Sequence, residues 1–289
     1  MPEDYKIKFY CRSFNKDLYE RSRHLYESAG YPCVRLTDKT ADGYFYDMLE
    51  DTGCDIAVNV DEDCFITDLE VVESLVAEVV AGGYANCGCG DGGGGCARVA
   101  NPLVTNPFFN ILNLRLIRTA GTAADIRKAA EAFSYPEHKE EMKAAFPKEL
   151  LSGQYNFERW DFEPYYPFFL WLAFTFKTLY LRSEKHLDGT TTIAYSPSGA
   201  PFCLHTWFAR FYDTPAWLIR IAQQKKSVAH KQRIDARIAE AYNSTGEKPL
   251  PRTAAQRLSY ATDKTMRWLI KIPQRIAGWP KKIKRKING

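Results

Sequence analysis

The chain has 289 residues, 45% of them apolar and 14% aromatic, enough for one large packed domain, or one domain plus an appendage. No run of 18 uninterrupted apolar residues occurs, so no transmembrane helix is expected, and the start MPEDYKIKFY has no apolar signal region, so export is not expected. The net charge of +4 hides an asymmetry: residues 214–289 carry 18 basic and 4 acidic side chains, against 21 and 31 in residues 1–213. An acidic body with a basic tail speaks to partners rather than to fold.

Residues 6–11, KIKFYC, read as a first strand. Residues 15–29 read as a helix capped by Asn15 and ended by Gly30, and 32–37, PCVRLT, as a second strand. Residues 42–63 read as a short helix, a turn at Thr52 and Gly53, and a third strand in which Ile56, Val58 and Val60 share one face. This order opens a doubly wound α/β sheet. The third strand runs into Asp61, Glu62 and Asp63 at its exit, where a ligand crevice forms in an open α/β sheet. Two carboxylates there suit a divalent cation held against a phosphate-bearing substrate. Glu62 should turn away from its neighbours. The D-x-D pattern alone is weak, since a chain with this many acids contains about one by composition. Its context is what counts: a strand before it, and a helix over 68–80 after it, with Leu69, Val72, Leu75, Val76 and Val79 at helical spacing.

Residues 82–95 hold eight glycines. Such a backbone loses much entropy on ordering, which favours a loop, either mobile over the active site or passive on the surface. The phosphate-binding spacings GxxxxGK[ST] and GxGxxG are missing from it. The eight cysteines form no small-domain disulfide pattern and are expected to be reduced. Cys87, Cys89 and Cys96 lie close together but have no clear fourth zinc ligand nearby. Residues 101–118 return to apolar periodicity, and 121–150 read as charged, exposed helices. Asp161 and Glu163 precede an aromatic helix beginning after Pro164, a place where acids also simply favour a helix start. His205, in LHTW, sits in an apolar and aromatic setting, where a lone histidine is more often a hydrogen-bonded core residue.

These features together resemble the nucleotide-sugar glycosyltransferases of the GT-A fold, whose D-x-D follows a hydrophobic strand in this way. The resemblance covers roughly residues 5–213. It implies a GT-A-like doubly wound mixed sheet flanked by helices over 1–213, with residues 214–289 as a basic helical extension. It implies Mn²⁺ or Mg²⁺ held by Asp63 and His205, with Asp61 as a further ligand or on the ribose. It places Cys11, Arg12 and Ser13 near the base or ribose, although Arg12 also reads as a solvated loop residue. Asn106, Asn110 and Asn113 become candidate hydroxyl ligands, with caps or turns as the alternative. The usual glycine of that turn is absent from NPFFNILN. Glu163, or second Asp161, becomes a catalytic base or acceptor contact, and Arg210 faces the diphosphate or pairs with an acid. Trp160, Tyr165, Tyr166 and Trp171 are candidate sugar-stacking faces, most of them better suited to a core.

From residue 252 onward an apolar stripe (Leu258, Thr265, Trp268, Ile272, Ile276, Trp279) runs beside a basic one (Arg257, Lys264, Arg267, Lys271, Arg275), about 100° apart on a helix. Pro273 would kink it, and PKKIKRKING ends it. Such a helix suits an anionic membrane surface, where each basic side chain contributes about 1 kcal/mol. A helix folded back on the acidic body is the alternative, and nucleic acid is disfavoured because the aromatic interleaving is sparse. The expected protein is therefore a cytoplasmic, membrane-peripheral glycosyltransferase that uses a nucleoside diphosphate sugar and a glycan or lipid-linked acceptor. The alternatives are a catalytically inert membrane scaffold or a nucleotidyltransferase on a similar sheet; RSFNKD lacks the Gly-rich signature of the latter.

Overall fold

The computed structural model describes residues 5–37, 39–212, 221–251, 253–256, 258–263 and 265–266. Strand β1 (Ile7–Arg12) leads into helix α1 (Lys16–His24), whose cap Asn15 accepts a hydrogen bond from the Leu18 amide. Strand β2 (Cys33–Leu36), helix α2 (Gly43–Glu50), strand β3 (Ile56–Val60), the short strand β4 (Cys64–Ile66) and helix α3 (Leu69–Ala81) follow. Strand β5 (Tyr84–Gly90) and strand β6 (Thr105–Asn113) precede four helices: α4 (Leu114–Ile117), α5 (Ala123–Ala132), α6 (Tyr135–Ala145) and α7 (Tyr166–Thr175). Strands β7 (Lys177–Lys185), β8 (Thr192–Tyr195) and β9 (Pro201–His205) precede the long helix α8 (Ile221–Thr245).

The nine strands form one mixed sheet in the order β2-β1-β3-β6-β5-β7-β8-β9-β4. Strands β1, β2 and β3 are mutually parallel, and β6 runs antiparallel between β3 and β5. The mixed α/β class therefore agrees with the expectation.

The period-2 pattern of β3 divides the core in two. Ile56, Val58 and Val60 pack with Val72, Leu75, Val76 and Val79 of α3. Ala57, between them in sequence, faces the cluster formed with α2, α5 and α7. Burying each of the Ile, Val and Leu side chains stabilises the fold by roughly 1.5–3 kcal/mol. A third cluster joins Leu18, Leu25, Phe65 and Tyr212 to Ile234, Ile238, Ala241 and Tyr242 of α8. Helix α8 is thus packed onto the body, although it lies within the expected extension. Within the tail, Asp263 pairs with Arg35 at 3.4 Å, and Leu258 is exposed. The expected basic stripe at Arg257, Lys264, Arg267, Lys271 and Arg275, together with Trp268, Ile272, Ile276, Trp279 and the terminal cluster, lies outside the described residues.

The glycine-rich segment departs from the expected loop. Its first half is β5, which lies inside the sheet between β6 and β7. A side chain at Gly88 would strike the Asn110 amide nitrogen at 2.6 Å and the Phe109 carbonyl at 2.9 Å, so glycine lets two strands approach closely. After the strand, Gly92 takes φ +102° against the backbone of Ala100. Close packing, rather than mobility, accounts for glycine at both positions.

Candidate metal centre

The turn after β3 is built for acidic residues. The Cys64 amide donates to the Asp61 carbonyl at 3.0 Å, closing a four-residue turn that begins at Asp61, a position aspartate favours. Chain direction then reverses into β4, which sequence periodicity did not reveal because the strand has only three residues. Strand β4 pairs antiparallel with β9, with Cys64 opposite His205. That register brings a histidine 142 residues downstream beside the turn. The Thr206 amide adds a bond to the Asp63 carbonyl at 2.8 Å.

Asp61, Asp63 and His205 each offer a ligand atom, all within 4.8 Å of one another. Among the described residues this is the one such group. His205 Nε2 lies 3.4 Å from Asp63 Oδ1, and its other ring nitrogen, Nδ1, is buried with no hydrogen-bond partner. The ring stacks on Phe108, with centroids 4.6 Å apart, and tilts against Trp207. Asp63 Oδ2 accepts from the Ala209 amide at 3.3 Å. Burial raises the Asp61 carboxyl above its ordinary range and the neighbouring Asp63 charge adds to this, while Arg12 and His205 oppose it. Two carboxylates close enough to repel one another, with an imidazole beside them, fit a divalent cation.

The backbone beside His205 is strained. Trp207 and Phe208 take φ of 59° and 64°, and left-handed geometry costs a non-glycine residue about 1 kcal/mol or more. The indole nitrogen of Trp207 donates to Thr192 at 2.8 Å, and Arg233 donates to the Trp207 carbonyl at 3.2 Å, which holds the turn in place. Both aromatic residues line the same cavity as the acids.

That cavity has a volume of roughly 470 Å³. Asp61, Glu62, Asp63 and His205 form part of its wall, and Arg12, Phe14 and Tyr44 form another part. Arg12 lies over the Phe14 and Tyr44 rings, 5.0 and 5.5 Å from their centroids. Arg210 and Glu163 also line it. Five expected site residues thus share the cavity with Arg12: Asp61, Asp63, His205, Glu163 and Arg210.

Three others do not line it. Cys11 is buried within β1, and burial pushes its thiol well up. Asn110 is buried within β6 and donates to the Thr105 hydroxyl at 2.9 Å, so its polarity serves the sheet. Asp161 is exposed in the loop before α7. The other asparagines also have structural partners: Asn113 caps α4, and Asn106, which does line the cavity, donates to Asp91. Of the aromatic candidates, Trp160 is exposed, whereas Tyr165, Tyr166 and Trp171 are buried.

Sequence reasoning missed Asp91 and Arg98. Asp91, fully buried just after β5, accepts from Arg98 Nε at 2.9 Å, Arg98 Nη2 at 2.6 Å, Asn106 at 2.9 Å and the Tyr166 hydroxyl at 2.8 Å. Arg98 reaches the cavity wall, and its Nη1 donates to Glu163 at 2.7 Å. An acid and an arginine seven residues apart in a glycine-rich stretch carry no periodic signal, because the loop that joins them is shaped by α7, more than sixty residues later.

No family model matches the chain, and no curated protein does. Among solved structures, the crystal structure of A197 from STIV is similar to it at 13% identity, covering 68% of this chain and 93% of that chain, with a TM-score of 0.33. A likeness at that level carries no argument about fold or function.

Proposed function

We propose that this protein is a metal-dependent glycosyltransferase of GT-A type. It would move a sugar from a nucleoside diphosphate sugar to a glycan or lipid-linked acceptor, as in lipopolysaccharide or capsule synthesis. The observation that carries the reading is the convergence of Asp61, Asp63 and His205 on one wall of a cavity at the exit of β3. Those three residues would hold Mn²⁺ or Mg²⁺, the imidazole favouring Mn²⁺. The ion would neutralise charge on the departing diphosphate.

The chain's own residues supply the remainder. Arg12 and Arg210 line the cavity as cations suited to phosphate oxygens. Phe14 and Tyr44, next to Arg12, offer apolar surface for a nucleoside. Glu163 lines the cavity while Asp161 does not, which favours Glu163 as the acceptor-side acid. In an inverting reaction Glu163 would take the acceptor hydroxyl proton; in a retaining one it would only orient the acceptor. Arg98 already holds one of its oxygens, so proton transfer would use the other.

The proposed place of work is the cytoplasmic face of a membrane, reached through residues 252–289. No helix among the described residues is long and apolar enough to cross a membrane. Deleting residues 252–289 should abolish flotation with anionic vesicles, and retained flotation would remove the anchoring idea.

The reaction is tested by incubating the protein with Mn²⁺ and a panel of UDP- and GDP-sugars. At least one donor should be hydrolysed slowly, and Asp63→Asn should stop it. Hydrolysis unchanged in Asp63→Asn would reject the site, and no binding of metal or donor would favour an inert scaffold.

A further inference from the structure

Glu62 stands between two candidate metal ligands and does something different. It is 5% exposed, and one carboxylate oxygen, Oε2, accepts three hydrogen bonds: from Ser13 Oγ at 2.9 Å, the Phe14 amide at 2.8 Å and the Asn15 amide at 2.6 Å. These donors form the turn between β1 and α1. The two amides lie just ahead of the first helical turn, where backbone N–H groups lack partners of their own. Glu62 satisfies them from 48 and 47 residues away. The same turn is tied elsewhere by Arg35 Nε, which donates to Ser13 Oγ at 3.1 Å, and by Asn15 Nδ2, which donates to the Tyr212 carbonyl at 3.0 Å.

The consequence follows from what flanks each end of the link. Arg12 and Phe14, on either side of Ser13, line the cavity. Asp61 and Asp63, on either side of Glu62, line it too. A shift of the acidic turn therefore drags the wall at residues 12–14 with it, because a buried amide left without its acceptor is costly. We propose that Glu62 is a positioning residue that locks the 12–14 wall to the 61–63 turn, so that the nucleoside and diphosphate ends of a nucleoside diphosphate are gripped by one rigid unit. The nature of that ligand rests on the function proposed above; the lock itself does not.

All three donors converge on one oxygen, which sets up a clean comparison. Glu62→Gln keeps an acceptor oxygen at that point, and Glu62→Ala removes it. Two readouts are taken on each folded variant. Hydrogen exchange over residues 12–18 should speed up in Glu62→Ala and stay near wild type in Glu62→Gln. Calorimetric titration should show UDP or GDP binding weakened about tenfold or more in Glu62→Ala and restored in Glu62→Gln. Affinity for Mn²⁺ alone should change less than about threefold in both. Should Glu62→Ala fail to fold, Ser13→Ala removes one donor of the three and should weaken UDP or GDP binding about threefold with Mn²⁺ affinity kept.

Unchanged exchange and nucleotide binding in Glu62→Ala would overturn the lock, as would a Glu62→Gln variant that behaves like the alanine variant. Loss of Mn²⁺ affinity in parallel with nucleotide would instead make Glu62 part of the metal site and overturn a positioning role. If the wild-type protein binds neither UDP nor GDP, the proposed function fails, and the exchange measurement still decides the lock.

Discussion

Two acidic stations stand beside the same cavity, and they are built in opposite ways. Asp91 is fully buried and saturated, with an arginine fork, an amide and a tyrosine hydroxyl on its two oxygens. Asp61, half-buried, accepts a hydrogen bond from the Glu62 amide at 3.0 Å and stands beside Asp63 and His205, with the Arg12 charge offsetting part of the repulsion between the two carboxylates. Burial without compensation is unfavourable for a carboxylate, and a second carboxylate makes it worse. The first station is complete as it stands and holds Arg98 against Glu163. The second has spare oxygens and excess negative charge, the condition a cation would relieve.

The comparison can be broken first at Asp91. Asp91→Asn places an amide against Arg98 and Asn106 and takes the carboxylate fork from a half-buried guanidinium that keeps its bond to Glu163, which should cost about 1–3 kcal/mol in denaturant unfolding. Its effect on Mn²⁺ affinity, measured on protein that remains folded, should be small. The opposite ranking, a stable variant with lost metal binding, would reverse the roles assigned to the two stations.

The next effect is on pH. The Asp61 carboxyl is raised above its ordinary value, so protons compete with metal across a window reaching up toward neutrality. Lowering the pH from 7.5 to 5 should weaken Mn²⁺ binding about tenfold or more, read by calorimetry. An affinity flat across that range would contradict the assignment of Asp61 as a ligand.

The smallest effect sharpens the contrast most. A carboxyl whose folded pKa is raised binds its proton more tightly in the native state than in the unfolded chain. Metal-free stability therefore declines as pH rises from the ordinary aspartate range through the raised value. Asp61→Asn removes that penalty and should raise metal-free stability at pH 7.5 by on the order of 1 kcal/mol, or about 2 °C in Tm, while weakening metal binding. A destabilised Asp61→Asn would mean that Asp61, like Asp91, belongs to the scaffold.

How much of this was legible depended on period and on distance in sequence. The alternation of Ile56, Val58 and Val60 and the spacing of Val72, Leu75, Val76 and Val79 announced β3 and α3, because both elements bury one face. Asn15 announced a helix start by its capping chemistry. Strand β5 was illegible because Gly88 and Gly90, each pressed against neighbouring backbone, erase its side-chain period. The acids at 61 and 63 were visible as a strand exit, and the residues alone favoured a core role for His205. Only the pairing of β4 with β9 sets it beside Asp63. The Arg98 network was hidden because Asp91, Arg98, Glu163 and Tyr166 meet through loops and α7, with no local rule linking them. Glu62 was readable as the member turned away from the cation, and its grip on residues 13–15 was not.

The central claim is that Asp61, Asp63 and His205 are a metal centre. Titrating the purified protein with Mn²⁺ alone, by calorimetry, tests it most directly. The wild-type protein should show one saturable site per chain, with affinity reduced more than about 100-fold in Asp63→Asn and in His205→Ala. Mn²⁺ binding of wild-type strength in Asp63→Asn, or no saturable site in the wild-type protein, would contradict it.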